Sequence, residues 1–242
     1  MDYQVFHENF VRIFEKNGLE SYITEDHIRK FYDLTERMVE TNKVMNITAL
    51  TTEDKIIPLH YADCVKAAAY ISQNAYVADI GCGGGFPILP LAIIRPDLKL
   101  VGIDSTEKKI RYVQSVADEL GLHVTAVSGR AEDLAKDPRF RDAFDVVIGR
   151  AVARLNVLDE LCMPFVKISG KFVAMKGAAG QEELIEAQNG ISKLGGEQIF
   201  ADEYVLYTAD TEEKRVMIQI TKNSPTPKEF PRAFGLIKKK PL

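Results

Sequence analysis

The sequence has 242 residues, of which 46% are hydrophobic and 27% charged, and its formal net charge is −4. A chain of this length can bury a full-sized core, so we expect one domain with small extensions. The negative charge argues against a protein that coats nucleic acid non-specifically. No apolar run reaches the ~20 residues of a membrane span, and the acidic, interrupted N-terminus does not resemble a signal peptide. These properties predict a soluble, cytoplasmic protein that does not associate with a membrane.

The cysteines predict neither a disulfide framework nor a metal site. Cys64, Cys82 and Cys162 are scattered and odd in number, and no close-spaced set of other metal ligands accompanies them. We therefore expect no bound metal.

The first 72 residues are predicted to form a helical N-terminal extension packed on the domain that follows. Apolar residues at helical spacing between Phe6 and Phe14 predict a first helix, which Asn17 and Gly18 close. Thr24 caps a second helix. The segment 42–58 is polar and rich in turn residues, and a short helix is expected from about Tyr61 to Ile71.

Short apolar runs separated by helical stretches follow, and they predict an α/β fold. The predicted strands are Val77–Ile80, Leu98–Ile103, Val124–Val127, Phe144–Ile148 and Lys171–Met175, and the helices between them include Glu107–Leu120 and Leu155–Val166. Apolar strands spaced by helices imply a doubly wound, mostly parallel sheet. The last two runs, Ile199–Tyr207 and Arg215–Thr221, follow each other closely and predict a hairpin, so that one strand is antiparallel. This domain spans residues 73–222.

Residues 223–242 form a basic tail on an acidic body. From Lys222 onward, six basic residues are opposed only by Glu229. Such a tail can meet phosphate groups locally while the rest of the protein is repelled. The alternative, which composition alone favours, is a solvated and frayed C-terminus.

The strongest motif is a glycine-rich loop, Asp79-Ile80-Gly81-Cys82-Gly83-Gly84-Gly85-Phe86-Pro87, which leaves a strand and opens a helix. In an open α/β sheet, a ligand binds beyond the carboxyl ends of the strands, where the strand order reverses. A dinucleotide fingerprint that starts at Gly81 needs glycine where Phe86 stands. The pattern of Asp79 followed by Gly81, Gly83 and Gly85 instead suits S-adenosylmethionine (SAM), which has no phosphates and carries positive groups. A glycine-rich turn without a ligand is the alternative.

Two further acidic positions agree with a SAM site. Asp104 ends the second predicted strand at the distance from Gly81 expected of a carboxylate that accepts hydrogen bonds from ribose hydroxyls. The loop after the next strand can contact adenine through the backbone amide of Ala131 and the side chain of Glu132. Each acidic residue alone is equally compatible with an ordinary helix entry. Together with the glycine loop, they favour the ligand.

The sequence also resembles a known family. The resemblance rests on these motifs and on further ones at matching spacing: Pro90-Leu91-Ala92, Ser105 with Lys108-Lys109, Arg130, Gly149-Arg150-Ala151-Val152-Ala153-Arg154-Leu155, Asn46-Ile47-Thr48, His60 with Asp63, Lys176-Gly177, and the tail from Pro227 to Pro241. In these features the chain resembles the bacterial ribosomal RNA small subunit methyltransferase G family, also called the glucose-inhibited division protein B family. Cys64, Cys82 and Leu236 depart from the family pattern.

The resemblance implies a Rossmann-like SAM methyltransferase that methylates N7 of one guanine in 16S rRNA. It places Gly81, Phe86, Ala131, Glu132 and Arg150 around the cofactor. Guanine N7 carries an in-plane lone pair and no proton, so the reaction needs no general base. Catalysis then rests on positioning and on the exclusion of water.

Five residues are predicted around the substrate, each with a simpler alternative. Arg150 follows the fourth strand, where both cofactor and substrate are expected, and arginine commonly holds guanine O6 and phosphates; the alternative is a surface ion pair. Arg154 and Lys176 contact guanine or phosphate, or else lie on a solvated face. His60 contacts the substrate or forms a structural pair with Asp63. Asn46 contacts the substrate or caps a turn.

Two rival functions remain open from the residues alone. One is a methyltransferase for a small molecule or a protein, which the basic tail and the arginines after the fourth strand disfavour. The other is a nicotinamide-dependent oxidoreductase or a non-catalytic nucleotide-binding module, which Phe86 argues against. The expected substrate is 16S rRNA, either naked or in an assembling small ribosomal subunit, and a monomer is the default.

Overall fold

The computed structural model describes residues 1–242 and contains one seven-stranded sheet in the order β3-β2-β1-β4-β5-β7-β6. The strands are β1 Tyr76–Ile80, β2 Lys99–Asp104, β3 Val124–Ser128, β4 Phe144–Arg150, β5 Val166–Gly177, β6 Gly196–Tyr207 and β7 Glu212–Lys222. Strands β1 to β5 pair in parallel, and β7 lies antiparallel between β5 and β6. The predicted doubly wound sheet with one antiparallel strand is confirmed. Its strand order reverses between β1 and β4, which opens the crevice where such folds bind ligands.

Ten α-helices surround the sheet. They are α1 Tyr3–Lys16, α2 Glu25–Asn42, α3 Glu53–Ile56, α4 Asp63–Lys66, α5 Ile88–Ile94, α6 Glu107–Glu119, α7 Ala131–Leu134, α8 Leu155–Cys162, α9 Gly180–Lys193 and α10 Phe234–Lys239. As predicted, Asn17 and Gly18 end α1, and the Thr24 hydroxyl accepts a hydrogen bond from the His27 amide at the start of α2.

The structure corrects the expectation for the polar segment 42–58. Helical backbone begins at Glu53 and continues to Tyr70, which is well before the helix that the sequence predicts. Between α3 and α4 the residues Ile57–Ala62 form a π-helical turn. Such wide turns are rare and are frequently found at functional sites. Here the turn contains His60.

Two hydrophobic cores lie on opposite faces of the sheet. Phe10, Phe31 and Tyr61 of the N-terminal helices share one core with α5 and α6, and α8 and α9 contribute to the other. The N-terminal helices are therefore packed on the sheet by burial of large apolar side chains, which is the main favourable contribution to folding. None of the helices is both long enough and apolar enough to span a lipid bilayer.

The C-terminal tail is docked on the domain, which corrects the expectation of a frayed end. The Lys222 side chain is fully buried, where its ammonium donates hydrogen bonds to Asp142 and to two backbone carbonyls. Arg232 forms a bidentate ion pair with the buried Glu160. Two of the six basic residues thus stabilise the fold and are not free to meet phosphate.

Candidate active site

Three adjoining cavities lie at the carboxyl ends of β1, β2, β4 and β5. We name them by position. The outer cavity, of about 230 Å³, lies between β2 and α7; the middle cavity, of about 320 Å³, lies over the glycine loop; and the inner cavity, of about 570 Å³, lies beyond β4 and β5. Val152 borders all three, and Arg150 borders the middle and the inner one. The three cavities therefore adjoin one another at the point where the strand order reverses, and together they make up one groove.

The glycine loop has the backbone that the motif predicts. Gly81 and Gly83 adopt positive φ angles of 77° and 54°, which side-chain-bearing residues rarely adopt. A Cβ atom on Gly81 would lie 2.6 Å from Cγ2 of Val152. Gly81 and Gly83 line the middle cavity, whereas Gly85 packs behind the loop against Leu89. Of the three glycines, two therefore face the groove.

Asp104 supports the glycine loop and borders the groove at the same time. Its Oδ2 accepts a hydrogen bond from the Gly83 amide at 3.0 Å, and its Oδ1 accepts one from the Thr106 amide at 2.7 Å. Each carboxylate oxygen has a second lone pair for another donor. Because Asp104 lines both the outer and the middle cavity, the same carboxylate can hold the loop and a ligand.

Ala131 and Glu132 lie where the sequence places them, on the wall of the outer cavity at the start of α7. The Glu132 side chain is buried, and its Oε1 accepts a hydrogen bond from Arg130 Nε at 2.5 Å. Its Oε2 makes no hydrogen bond within the protein. One oxygen of this carboxylate is thus fixed by arginine and the other is available to a ligand.

Asp79 lies beneath the glycine loop and does not border a cavity. Its side chain is 1% exposed, and neither carboxylate oxygen has a hydrogen-bond partner in the protein. Burial raises the pKa of Asp79 to about 7, although the nearby Arg150 guanidinium acts in the opposite direction. An unpaired buried carboxylate is costly, so its presence at this point indicates a functional constraint.

Arg150 is the centre of a hydrogen-bonded network that reaches back to the π-helical turn. Its Nη1 donates to the Leu59 carbonyl at 2.9 Å and to Asp63 Oδ2 at 3.2 Å, while its Nη2 donates to His60 Nδ1 at 2.8 Å. Three of the five guanidinium donors are thereby used. Arg150 thus forms a buried ion pair, whereas the simpler interpretation had a surface one, and the residue also lines the groove.

His60 is held neutral and its tautomer is fixed. Because arginine can only donate, Nδ1 accepts and the proton lies on Nε2, which donates to Thr48 Oγ1 at 2.7 Å. Burial, reinforced by the charge of Arg150, lowers the pKa of His60 to about 3. The imidazole also stacks on the Phe86 ring, with centroids 4.1 Å apart. With both nitrogens occupied, His60 supports Arg150, and it also borders the middle and inner cavities. It makes no hydrogen bond to Asp63, so the predicted pair is joined only through Arg150.

Asp63 connects this network to strands β6 and β7, and the sequence did not indicate these contacts. Its Oδ1 accepts a hydrogen bond from the Tyr204 hydroxyl at 2.9 Å and lies 3.6 Å from Arg215 Nε. Arg215 itself lines the inner cavity. Tyr204 and Arg215 lie on β6 and β7, about 140 and 150 residues after Asp63, so no local sequence motif could indicate these contacts.

Lys176 and Arg154 both line the inner cavity, but each is engaged by an acidic residue of α9. Lys176 is almost fully buried, donates to the Ala153 carbonyl at 2.6 Å and pairs with Glu183 at 2.8 Å. Arg154 is exposed and forms a bidentate pair with Glu186. Lys176 therefore anchors the segment after β4, and its burial contradicts the simpler interpretation of a solvated face. Arg154 does lie on an exposed face, where it pairs with Glu186.

Asn46 is exposed and borders none of the cavities. The residue that shapes its loop is Asn42, whose Oδ1 accepts from the amides of Ile47 and Thr48 and whose Nδ2 donates to the Thr48 carbonyl. This arrangement sets Ile47 against the glycine loop and Thr48 against His60. Asn42 was not predicted, although an asparagine at the end of a helix is a familiar cap.

The family of the chain is now clear. The family model described as GidB, rRNA small subunit methyltransferase G, matches residues 27–208. This chain belongs to that family. Proteins called ribosomal RNA small subunit methyltransferase G are similar over nearly the whole length: that of Oceanobacillus iheyensis is 40% identical and covers 97% of this chain and 98% of its own. That of Clostridium beijerinckii is 37% identical, with 98% and 99% covered.

Solved structures of other proteins share the fold. The O-methyltransferase from Bacillus cereus, solved in complex with SAH, covers 91% of this chain and 100% of its own with a TM-score of 0.59 and 13% identity. YcgJ from Bacillus subtilis covers 68% and 100%, with a TM-score of 0.51 and 17% identity. The predicted Rossmann-like methyltransferase fold and the family resemblance are both confirmed, and the chain is an enzyme of the rRNA methyltransferase family.

Proposed function

We propose that this protein transfers the methyl group of SAM to N7 of one guanine in small-subunit rRNA. The observation that carries the proposal is this groove, in which a glycine-lined end and a larger end share Arg150 as a wall. The first end has the chemistry of a nucleoside site and the second has room for a base. Since rRNA is the substrate, the protein acts in the cytoplasm, on naked 16S rRNA or on an assembling subunit.

The residues of the outer and middle cavities fit SAM. Gly81 has no room for a side chain because Val152 lies against it, and two acidic groups, Asp104 and Glu132, line the outer cavity. Asp104 would accept hydrogen bonds from the ribose hydroxyls, while Glu132 and the Ala131 amide would contact the adenine. Phe86 would close the middle cavity beside Arg150. When bound, SAM supplies an electrophilic methyl group on a positively charged sulfur.

The inner cavity suits a purine. At about 570 Å³ it exceeds the size of a single base, and it is lined by the cations Arg150, Lys176 and Arg215 and the carboxylates Asp63 and Glu183. Arg150 retains two guanidinium donors after its contacts to the protein, and these are suited to guanine O6 or a phosphate. Lys176 and Arg215 are neutralised by their acidic partners. The N7-methylated guanine would carry a positive charge, so a cavity wall that is only moderately positive is compatible with this product.

The protonation state of the cavity favours an acceptor that has no proton to lose. His60 has both nitrogens engaged and a pKa of about 3, so it does not serve as a general base near neutral pH. Asp63 is occupied by Arg150, Tyr204 and Arg215. Guanine N7 can attack the methyl group without deprotonation. The chain's own residues then contribute by holding the base in line and by excluding water.

Methyl transfer with a defined substrate tests the proposal. Purified protein is incubated with SAM carrying a labelled methyl group and either naked 16S rRNA or small subunits from a strain that lacks the gene, and the nucleosides are analysed by mass spectrometry. The expected product is 7-methylguanosine. Arg150→Lys should lower turnover strongly because one ammonium cannot replace the bidentate guanidinium. Arg139→Gln, an exposed position outside all three cavities, is the matched control; equal turnover by both variants would contradict the assignment of Arg150.

A further inference from the structure

The outer cavity has a wall that comes from the C-terminal tail. Phe234, the first residue of α10, lines this cavity opposite Asp104 and Glu132, and Leu161 of α8 lies beside it. Neither the glycine loop nor the acidic positions of the motif pointed to this part of the chain. One wall of the cavity is therefore formed by a segment that lies more than 70 residues after all its other walls.

The tail is fixed firmly enough to form a defined wall. Arg232 is paired with Glu160 at 2.6 Å, and Ile237 is completely buried against Val157 and Leu161. Phe234 and Ile237 are three residues apart, so they lie on the same side of α10 and face α8 together. Leu236 lies on the opposite side and is 48% exposed. The position of the Phe234 ring is thus set by its neighbours in the tail.

The ring also contacts Arg130, another residue that lines the cavity. The Arg130 guanidinium lies over the Phe234 ring, 5.4 Å from its centroid, and Arg130 Nε donates to Glu132 at 2.5 Å. Arg130 therefore contacts both Glu132, which is expected to contact the adenine, and the Phe234 ring. Phe234 remains partly exposed, in contrast to the fully buried Ile237. A partly exposed aromatic ring that lines a nucleoside cavity offers apolar contact to a base.

We propose that Phe234 is a cofactor-binding residue, whose ring packs against the adenine of SAM and makes the tail part of the nucleoside site. The inference rests on the proposed function, because it assigns the outer cavity to the nucleoside. Stacking of a base on an aromatic side chain is sequence-tolerant and contributes substantially to affinity. The alternative is that Phe234 only docks the tail on α8, in which case any apolar side chain of similar size would serve.

Binding of S-adenosylhomocysteine, measured by isothermal titration calorimetry, separates these alternatives without any need for turnover. Four variants of the full chain are compared with the wild type: Phe234→Ala, Phe234→Leu, Phe234→Tyr and Leu236→Ala. Phe234→Leu keeps an apolar side chain for docking but removes the aromatic face, and Leu236→Ala is a matched truncation on the exposed side of the same helix. Thermal unfolding of each variant reports whether the tail and the fold are retained.

We expect Phe234→Ala and Phe234→Leu to raise the dissociation constant about tenfold, which corresponds to about 1.4 kcal/mol. Phe234→Tyr and Leu236→Ala should bind as the wild type does. Wild-type affinity of Phe234→Leu would overturn the proposal, and so would an equal loss in Leu236→Ala. If Phe234→Ala unfolds, Phe234→Leu decides alone. A wild-type protein that does not bind the compound would instead refute the proposed function, so the two failures are distinguishable.

Discussion

Replacement of Asp79 by asparagine should stabilise the protein increasingly as the pH rises from 5 to 7. The carboxylate is buried without a partner, and burial raises its pKa from 3.8 to about 7. A carboxyl with a raised pKa contributes stability that is present below pH 3.8 and is lost as the pH rises toward 7, because the unfolded chain ionises first. Asparagine cannot ionise and does not suffer this loss.

The size of the effect follows from the two pKa values. Each unit of pKa difference corresponds to about 1.36 kcal/mol. Between pH 5 and pH 7 the wild type should lose roughly 2 kcal/mol relative to Asp79→Asn. The titration of His60 has the opposite sign: since its pKa is lowered, its contribution is lost as the pH falls below 6.5. It is present in both proteins and cancels in the difference.

Urea unfolding at pH 5, 6 and 7 measures this difference. Asp97→Asn is the matched control, since the Arg95 guanidinium lowers the pKa of Asp97 to about 2 and its titration lies outside the pH range used. The free-energy difference between Asp97→Asn and the wild type should stay constant. A constant difference for Asp79→Asn as well would show that Asp79 is not an unpaired buried carboxylate. We also expect Asp79→Asn to weaken SAM binding, which would explain why the costly carboxylate is present.

Three further perturbations test other parts of the site. Gly81→Ala should lower the free energy of unfolding by about 1–2 kcal/mol because of the positive φ angle at this position. Its Cβ would also lie against Val152, so SAM affinity measured by calorimetry should fall. Unchanged affinity would contradict a role of the Gly81 backbone in the cofactor site. Asp63→Ala removes the carboxylate that pairs with the buried Arg150 guanidinium. The free energy of unfolding in urea should fall by about 3–5 kcal/mol. A loss below about 1 kcal/mol is typical of a solvated ion pair and would contradict a buried one. Lys222→Ala removes the three hydrogen bonds of a buried ammonium and leaves the Met163 and Val166 carbonyls without this donor. The melting temperature should therefore fall by several degrees, and an unchanged melting temperature would refute the structural role of Lys222.

The sheet and the cofactor motif were predictable because their signals are local. A run of apolar residues between turn residues gives a buried strand wherever it occurs. Six of the seven predicted runs lie within observed strands, and the seventh, Leu98–Ile103, begins one residue before β2. The glycine loop and Asp104 occupy the ends of adjacent strands, so their place in the groove follows from the sheet alone. The family resemblance was recognisable for the same reason, since it rests on short motifs that follow one another along the chain.

The substrate side was less predictable because its contacts join distant parts of the chain. Arg150 meets His60 and Asp63 about 90 residues away, and only the folded π-helical turn brings them together. The ion pairs of Lys222 and Arg232 could not be read from the sequence, because the carboxylates that pair with them lie 80 and 72 residues earlier. The polar segment 42–58 gave no periodic apolar pattern, so the helix that begins at Glu53 was missed.

The most direct test of the account is the identity of the methylated nucleoside. Small subunits from a strain without the gene are treated with purified protein and labelled SAM, and the rRNA is digested and separated by mass spectrometry. We expect the label in 7-methylguanosine alone, at one nucleotide of the small-subunit rRNA. Label in another nucleoside, or in none although SAM binds, would contradict it.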